Sequence, residues 1–129
     1  MLRHLRWALL WALAILVLCL IPGRSLPQWG WFDLLDLDKL VHALLFLGQT
    51  VLLAAAFLGH GRPAAYLMWA VGLSVTYGLG TEVLQGLEAL GRRTDPMDML
   101  ANTIGALGGA WFVALRRRKG RPIVPAFLR

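Results

Sequence analysis

The chain has little charge and a single cysteine. Only 16% of its 129 residues are charged and 58% are hydrophobic, whereas soluble domains average about 25% and about 45–50%. The lone Cys19 lies inside an apolar run, which excludes an intrachain disulfide and offers no metal-binding motif. The length leaves no room for a separate soluble catalytic domain beside the apolar segments. These deficits point to a membrane protein.

The apolar residues form four segments close to the ~20 residues that a helix needs to cross a bilayer. These segments cover about residues 5–21, 40–58, 64–85 and 97–115. The predicted fold class is therefore all-α: a polytopic membrane bundle of four transmembrane helices. We expect one domain over residues 1–129, with a basic cytoplasmic tail at 116–129.

The first segment has a second interpretation, because Arg3 and Arg6 ahead of an apolar run are also typical of a signal peptide. The stretch Pro22-Gly23-Arg24-Ser25 is a poor cleavage site, and three further apolar segments follow. An uncleaved first span is favoured.

Positive charge is unevenly distributed between the two ends of the predicted bundle. If the N-terminus is cytoplasmic, nine of the 13 Lys and Arg residues lie inside, and the other four lie outside with all seven acids. The positive-inside rule then predicts that both termini are cytoplasmic. The formal charge of +6 is thus explained by topology, so we expect membrane lipids as partners and no nucleic acid.

All seven acidic residues fall in two short stretches, 33–38 and 82–98. With a rise of 1.5 Å per residue, His42 lies about 5 Å, Asp98 about 3 Å and Asn102 about 9 Å inside the outer boundary, and Glu82 lies near that boundary at the far end of its span. Because three spans place polar groups at one depth, we predict a shared polar pocket in the outer leaflet. Asp38 and His42, four residues apart, share a helix face.

Several of these residues also have purely structural interpretations. Asp95 and Pro96 are typical of a helix start, and Asp98 could serve the same start. His42 could be a hydrogen-bonded structural residue and Asn102 an interhelical contact. Glu82 resists such an explanation, because a negative charge near a helix C-terminus is unfavourable. Its expected partner is His42, Arg92 or Arg93.

Metal binding is not expected from the sequence, because no His-x-x-x-His pair or similar spacing is present. No cofactor is expected either. Gly105 and Gly109 form a small-xxx-small pattern, which predicts close helix packing. The connection that ends at Asp38 could form a short amphipathic helix or an ordinary loop.

The polar residues also follow an ordered pattern that resembles the VanZ-like family of small integral membrane proteins. The pattern consists of Asp38-Lys39-Leu40-Val41-His42 with Phe46, Glu82-x-x-Gln85, and Arg92-x-x-Asp95-x-x-Asp98-x-x-x-Asn102-x-x-Gly105. The resemblance implies a helical membrane domain of a family whose founding member is associated with teicoplanin resistance. The proline often found between the second and third motifs is absent here.

Three functions are compatible with the sequence. The leading one is a binding or accessory protein whose pocket engages an envelope component, such as a lipid-linked cell-wall precursor. The second is a membrane-embedded enzyme acting on lipid headgroups, in which His42 with Glu82 or Asp98 would form an acid–base pair or a metal site. A non-enzymatic role is favoured, and no catalytic residue is assigned. The third is a structural subunit that uses the glycine face of the fourth span. The predicted pocket residues are Asp38, Lys39, His42, Glu82, Gln85, Arg92, Asp95, Asp98 and Asn102.

Overall fold

The computed structural model describes residues 2–21, 30, 37–61, 64–87 and 94–128. Four long helices account for most of them, and these residues contain no β-strand. The helices are α1 (Leu2–Leu20), α2 (Leu37–Gly59), α3 (Tyr66–Gln85) and α4 (Pro96–Arg118). Each is long and apolar enough to cross a membrane, which confirms the all-α bundle of four membrane-spanning helices. Apart from Gly30 and the first residues of α2, the connection before Asp38 lies outside the described residues.

The ends of α4 follow from its local sequence. Asp95 is the N-cap: its Oδ1 accepts a hydrogen bond of 2.8 Å from the backbone N–H of Met97, and Pro96 occupies the first turn. The helix ends where Gly120 adopts a φ of 62°, a left-handed conformation that closes helices and favours glycine. The predicted capping role of Asp95 is therefore confirmed.

Helix α2 lies against all three other helices, and its contact with α4 is the most extensive. Glycine makes this contact close. A Cβ atom at Gly105 would fall on the backbone carbonyl of Ala43, and one at Gly109 would lie 2.7 Å from the carbonyl oxygen of Leu47. The small-residue pattern thus serves packing within the chain, as predicted.

Polar side chains inside the bundle are bonded from one helix to another. The Thr50 hydroxyl donates to Ser74 Oγ across α2 and α3 at 2.9 Å, and both residues are fully buried. Gln85 donates to the carbonyl of Cys19 on α1 at 3.1 Å. Large apolar side chains such as Leu44 and Ile104 lie exposed on the outside of the bundle, as expected of a surface that faces lipid.

The residues after α4 fold back onto the bundle. Val124 is buried in the apolar core, and Arg116 Nε donates to the carbonyl of Pro122 at 2.8 Å. The Arg117 guanidinium lies 5.7 Å from the centre of the Tyr66 ring. The basic segment predicted as a tail is therefore partly packed against helices.

Candidate polar site at the acidic end of the bundle

The start of α2, the end of α3 and the start of α4 meet at one end of the bundle, which we call the acidic end. Asp38, Glu82, Asp95 and Asp98 all lie there. Because α2 and α4 begin where α3 ends, residues far apart in sequence come to the same level along the bundle. The common depth expected for His42, Glu82, Asp98 and Asn102 becomes an actual meeting of side chains.

The centre of this end is a cluster of His42, Glu82 and Asp98, which we call the three-residue cluster. One nitrogen or oxygen atom from each side chain can be chosen so that all three atoms lie within 4.8 Å of one another. His42 and Glu82 are buried, and the Asp98 side chain is only 14% exposed. Three helices each contribute one member, so no local sequence motif could define the set.

His42 is held by a neighbour on α4. Its Nδ1 lies 3.0 Å from Oδ1 of Asn102, and its Nε2 lies 3.9 Å from Oδ2 of Asp98. Since the amide oxygen can only accept, Nδ1 carries the hydrogen and donates it. In neutral histidine the free lone pair is then on Nε2, facing Asp98.

Glu82 is 1% exposed, although it belongs to a residue type that is seldom fully buried. Its Oε2 accepts a hydrogen bond of 3.3 Å from the backbone N–H of Asp95, and the Thr94 hydroxyl donates to its backbone carbonyl at 3.3 Å. The segment ahead of α4 therefore supplies a hydrogen-bond donor to a backbone carbonyl in the last turn of α3. Of the partners expected for Glu82, His42 lies in the cluster, whereas Arg92 and Arg93 lie outside the described residues.

Asp98 lies in the first turn of α4, but its side chain has no part in the capping hydrogen bond made by Asp95. It is turned towards His42. Its Oδ1 is buried and has no hydrogen-bond partner among the described residues. Asp98 therefore lies in the first turn, as expected of a helix start, while Asp95 provides the N-cap.

Other predicted pocket residues surround the cluster or point elsewhere. Lys39 Nζ lies 3.7 Å from Asp38 Oδ2 and 3.9 Å from Asp95 Oδ2. These partly exposed charges form a rim that links α2 to the start of α4. The amide nitrogen of Gln85 is directed to α1, so Gln85 joins helices and is not a cluster member.

An apolar floor lies one helical turn deeper, and the sequence did not assign it to the site. Phe46 is fully buried one turn after His42. A Cβ atom at Gly78 would come within 3.2 Å of the Phe46 ring and 3.3 Å of Asn102 Nδ2. The glycine therefore allows Phe46 and Asn102 to close the site from below. The sequence signals were the place of Phe46 in the VanZ-like pattern and the four-residue steps from His42 to Phe46 and from Glu82 back to Gly78.

The site has unused hydrogen-bonding capacity. Glu82 Oε1, Asp98 Oδ1 and Asn102 Nδ2 are buried without a partner in the part of the chain that the structure describes. An unsatisfied buried polar group costs about 1–3 kcal/mol, so native proteins contain few of them and each calls for a physical reason. Two carboxylate acceptors, one amide donor and the free nitrogen of His42 are together able to hold a ligand.

The three-residue cluster also has a donor set that metal ions use, since imidazole nitrogen and carboxylate oxygen are both common ligands. The expectation of no metal site relied on spacing along the sequence. That spacing is uninformative when each ligand comes from a different helix.

No family model, curated protein or solved structure matches this chain. The VanZ-like resemblance, and what it implies for function, stays a prediction.

Proposed function

We propose that this chain is a binding or accessory protein of the bacterial cytoplasmic membrane, with both termini cytoplasmic. Its acidic end would bind the headgroup of an envelope lipid or a lipid-linked cell-wall precursor in the outer leaflet. The observation that carries this proposal is a group of three buried atoms, on Glu82, Asp98 and Asn102, that have no hydrogen-bond partner among the described residues. Ionisable residues within membrane spans are rare and are mostly paired or functional.

A purely structural cluster would be expected to satisfy its own polar atoms. The Thr50–Ser74 pair is such a case, because each hydroxyl meets the other and the pair is fully buried. The three-residue cluster and its neighbour Asn102 differ, since two carboxylate acceptors and one amide donor there have no partner among the described residues. Buried polar atoms without a partner call for a physical reason, and a ligand that completes them is one such reason.

The chemistry of the cluster restricts the ligand. Glu82, Asp98 and the free nitrogen of His42 are acceptors, so they suit headgroups that offer amines, hydroxyls or amide N–H groups. The positive charge for an adjacent phosphate or carboxylate would come from Arg92, which lies outside the described residues. A role linked to teicoplanin resistance belongs to the proposal only through the VanZ-like resemblance.

A membrane-embedded enzyme acting on the same headgroups is the second candidate. The observation that favours it is the arrangement of His42, which Asn102 orients while the other ring nitrogen faces a carboxylate. This arrangement is suited to a general base. Turnover of a lipid phosphate by the purified protein, lost in the His42→Ala variant, would distinguish the enzyme from the binding protein.

A structural subunit is less well supported, because the surface expected to contact a partner is occupied. Gly105 and Gly109 lie against α2 of the same chain. A partner would need another face.

Native mass spectrometry of the purified protein tests the binding function. We expect the wild type to retain a lipid or lipid-linked species that both Glu82→Gln and His42→Ala lose. Leu44→Ala is the matched control, since Leu44 is two residues from His42 on the outside of α2 and 56% exposed; it should retain the same species. If both cluster variants kept every lipid of the wild type at unchanged stability, the binding function would be refuted.

A further inference from the structure

We propose that His42, Glu82 and Asp98 bind one divalent transition-metal ion of the Zn²⁺ class at the acidic end. The inference deepens the proposed function and rests on it for the identity of the ligand that completes the coordination. The ligand atoms that the protein gives to the ion come from these three side chains alone.

The distances suit a small ion. Zinc forms bonds of about 2.0–2.2 Å to nitrogen and oxygen, which places tetrahedral ligands about 3.3–3.6 Å apart. His42 Nε2 and Asp98 Oδ2 are 3.9 Å apart, and the three ligand atoms lie within 4.8 Å of one another. Side-chain rotations that move the ligand atoms by about 1 Å would bring all three atoms within bonding distance of one ion.

The unpartnered carboxylate oxygens are a separate observation that points to a cation. Glu82 is 1% exposed, and its Oε1 has no hydrogen-bond partner among the described residues. Asp98 Oδ1 is also buried and has no hydrogen-bond partner among them. Two such carboxylates beside each other repel in a site with little water. A divalent cation would satisfy both oxygens and neutralise both charges.

Outer contacts hold two ligands in coordinating positions. Asn102 accepts from His42 Nδ1, which leaves Nε2 as the ligand atom, and the Asp95 N–H fixes one oxygen of Glu82. Metal-binding histidines usually donate their second N–H to an oxygen in this way.

The donor set selects the class of metal. Mg²⁺ and Ca²⁺ prefer sites made of oxygen alone, whereas imidazole suits zinc and its first-row neighbours. Three protein ligands leave one tetrahedral position open, as in catalytic zinc sites, where a water or substrate molecule occupies that position. A phosphate, carboxylate or hydroxyl oxygen of a headgroup could fill that position. With the ion bound, the headgroup would therefore contact the cluster through a metal-bound oxygen in place of the hydrogen bonds that the metal-free cluster could accept.

Metal content after dialysis against Zn²⁺ tests the inference. The detergent-purified protein, first stripped with a chelator, is expected to bind one Zn²⁺ per chain by inductively coupled plasma mass spectrometry. Each of the variants His42→Ala, Glu82→Gln and Asp98→Asn removes a ligand. Each should weaken zinc binding by about 100-fold or more, because loss of an outer contact alone can weaken it that much. Asn102→Ala should weaken binding about 10–100-fold.

His60→Ala is the matched control, because His60 lies at the far end of α2 with its Nδ1 at 2.6 Å from the carbonyl oxygen of Ala56. It should bind zinc as the wild type does. Glu82→Gln preserves side-chain volume and the acceptor for Asp95, so its melting temperature separates loss of binding from loss of fold.

A wild type that binds no more zinc than His42→Ala, or that selects Mg²⁺ or Ca²⁺ over Zn²⁺, would overturn the inference. Zinc binding without any retained headgroup would refute the proposed function alone. Headgroup retention that neither zinc nor chelation changes, in a protein that binds no zinc, would refute the metal site alone.

Discussion

Gly105→Ala is expected to lower the free energy of unfolding by about 2–3 kcal/mol, the upper part of the range for overpacking a tight core. The added Cβ would fall on the backbone carbonyl of Ala43, and a backbone cannot rotate away as a side chain can. Helix α4 would have to move away from α2, although these two helices make the most extensive contact between helices in the described structure. Thermal unfolding in detergent, followed by circular dichroism, measures the loss.

Gly80→Ala is the control for this experiment. A Cβ atom at Gly80 would meet no atom within 4 Å, so alanine there should leave stability unchanged or raise it slightly through helix propensity. Equal melting temperatures for Gly105→Ala and the wild type would contradict the close packing of α2 on α4. Because Asn102 lies one turn from Gly105 on the same helix, Gly105→Ala should also weaken zinc binding.

Phe46→Ala is expected to destabilise the protein by about 3 kcal/mol, the lower end for a buried phenylalanine. The lower end applies because Phe46 is also surrounded by apolar groups when the helices are separated in the membrane. The loss of stability therefore comes mainly from lost packing and from the cavity that alanine leaves. Phe46 is fully buried and its ring lies beside Tyr77, with 6.1 Å between ring centres. Its removal would open the floor beneath His42 and Asn102.

The measurement for Phe46→Ala is again thermal unfolding, with zinc content as a second readout. Leu44→Ala removes an apolar side chain from the outside of the same helix and should change the melting temperature little. If Phe46→Ala were no more destabilising than Leu44→Ala, the floor would not support the site.

The bilayer made much of the fold predictable. A helix must be apolar over a known length to cross it, and the four predicted spans agree with the four helices to within three residues at each end. The role of Asp95 was equally local, since a cap depends on the residues next to it. Depth along a span needed only the rise per residue, and it brought His42, Glu82, Asp98 and Asn102 to one level.

The rotation of each helix about its own axis was harder to predict from the sequence, because it depends on how the helices pack. Gln85 was predicted to line the pocket with Glu82, yet its amide nitrogen reaches α1. Asp38 shares a face with His42 but remains on the rim with Lys39. The spacing of Phe46 and Gly78 could place them near the site but could not show that they form its floor. A metal-compatible set drawn from three helices has no local signal in the sequence.

The central claim is that His42 and Asp98, on different helices, belong to one ligand site. The most direct test is the zinc-induced rise in melting temperature of the wild type, His42→Ala, Asp98→Asn and the double variant. Residues of one site are expected to be non-additive, so each single variant should lose nearly all of the rise and the double variant should lose no more. Single variants that each keep most of the rise, with losses that add in the double variant, would contradict the claim.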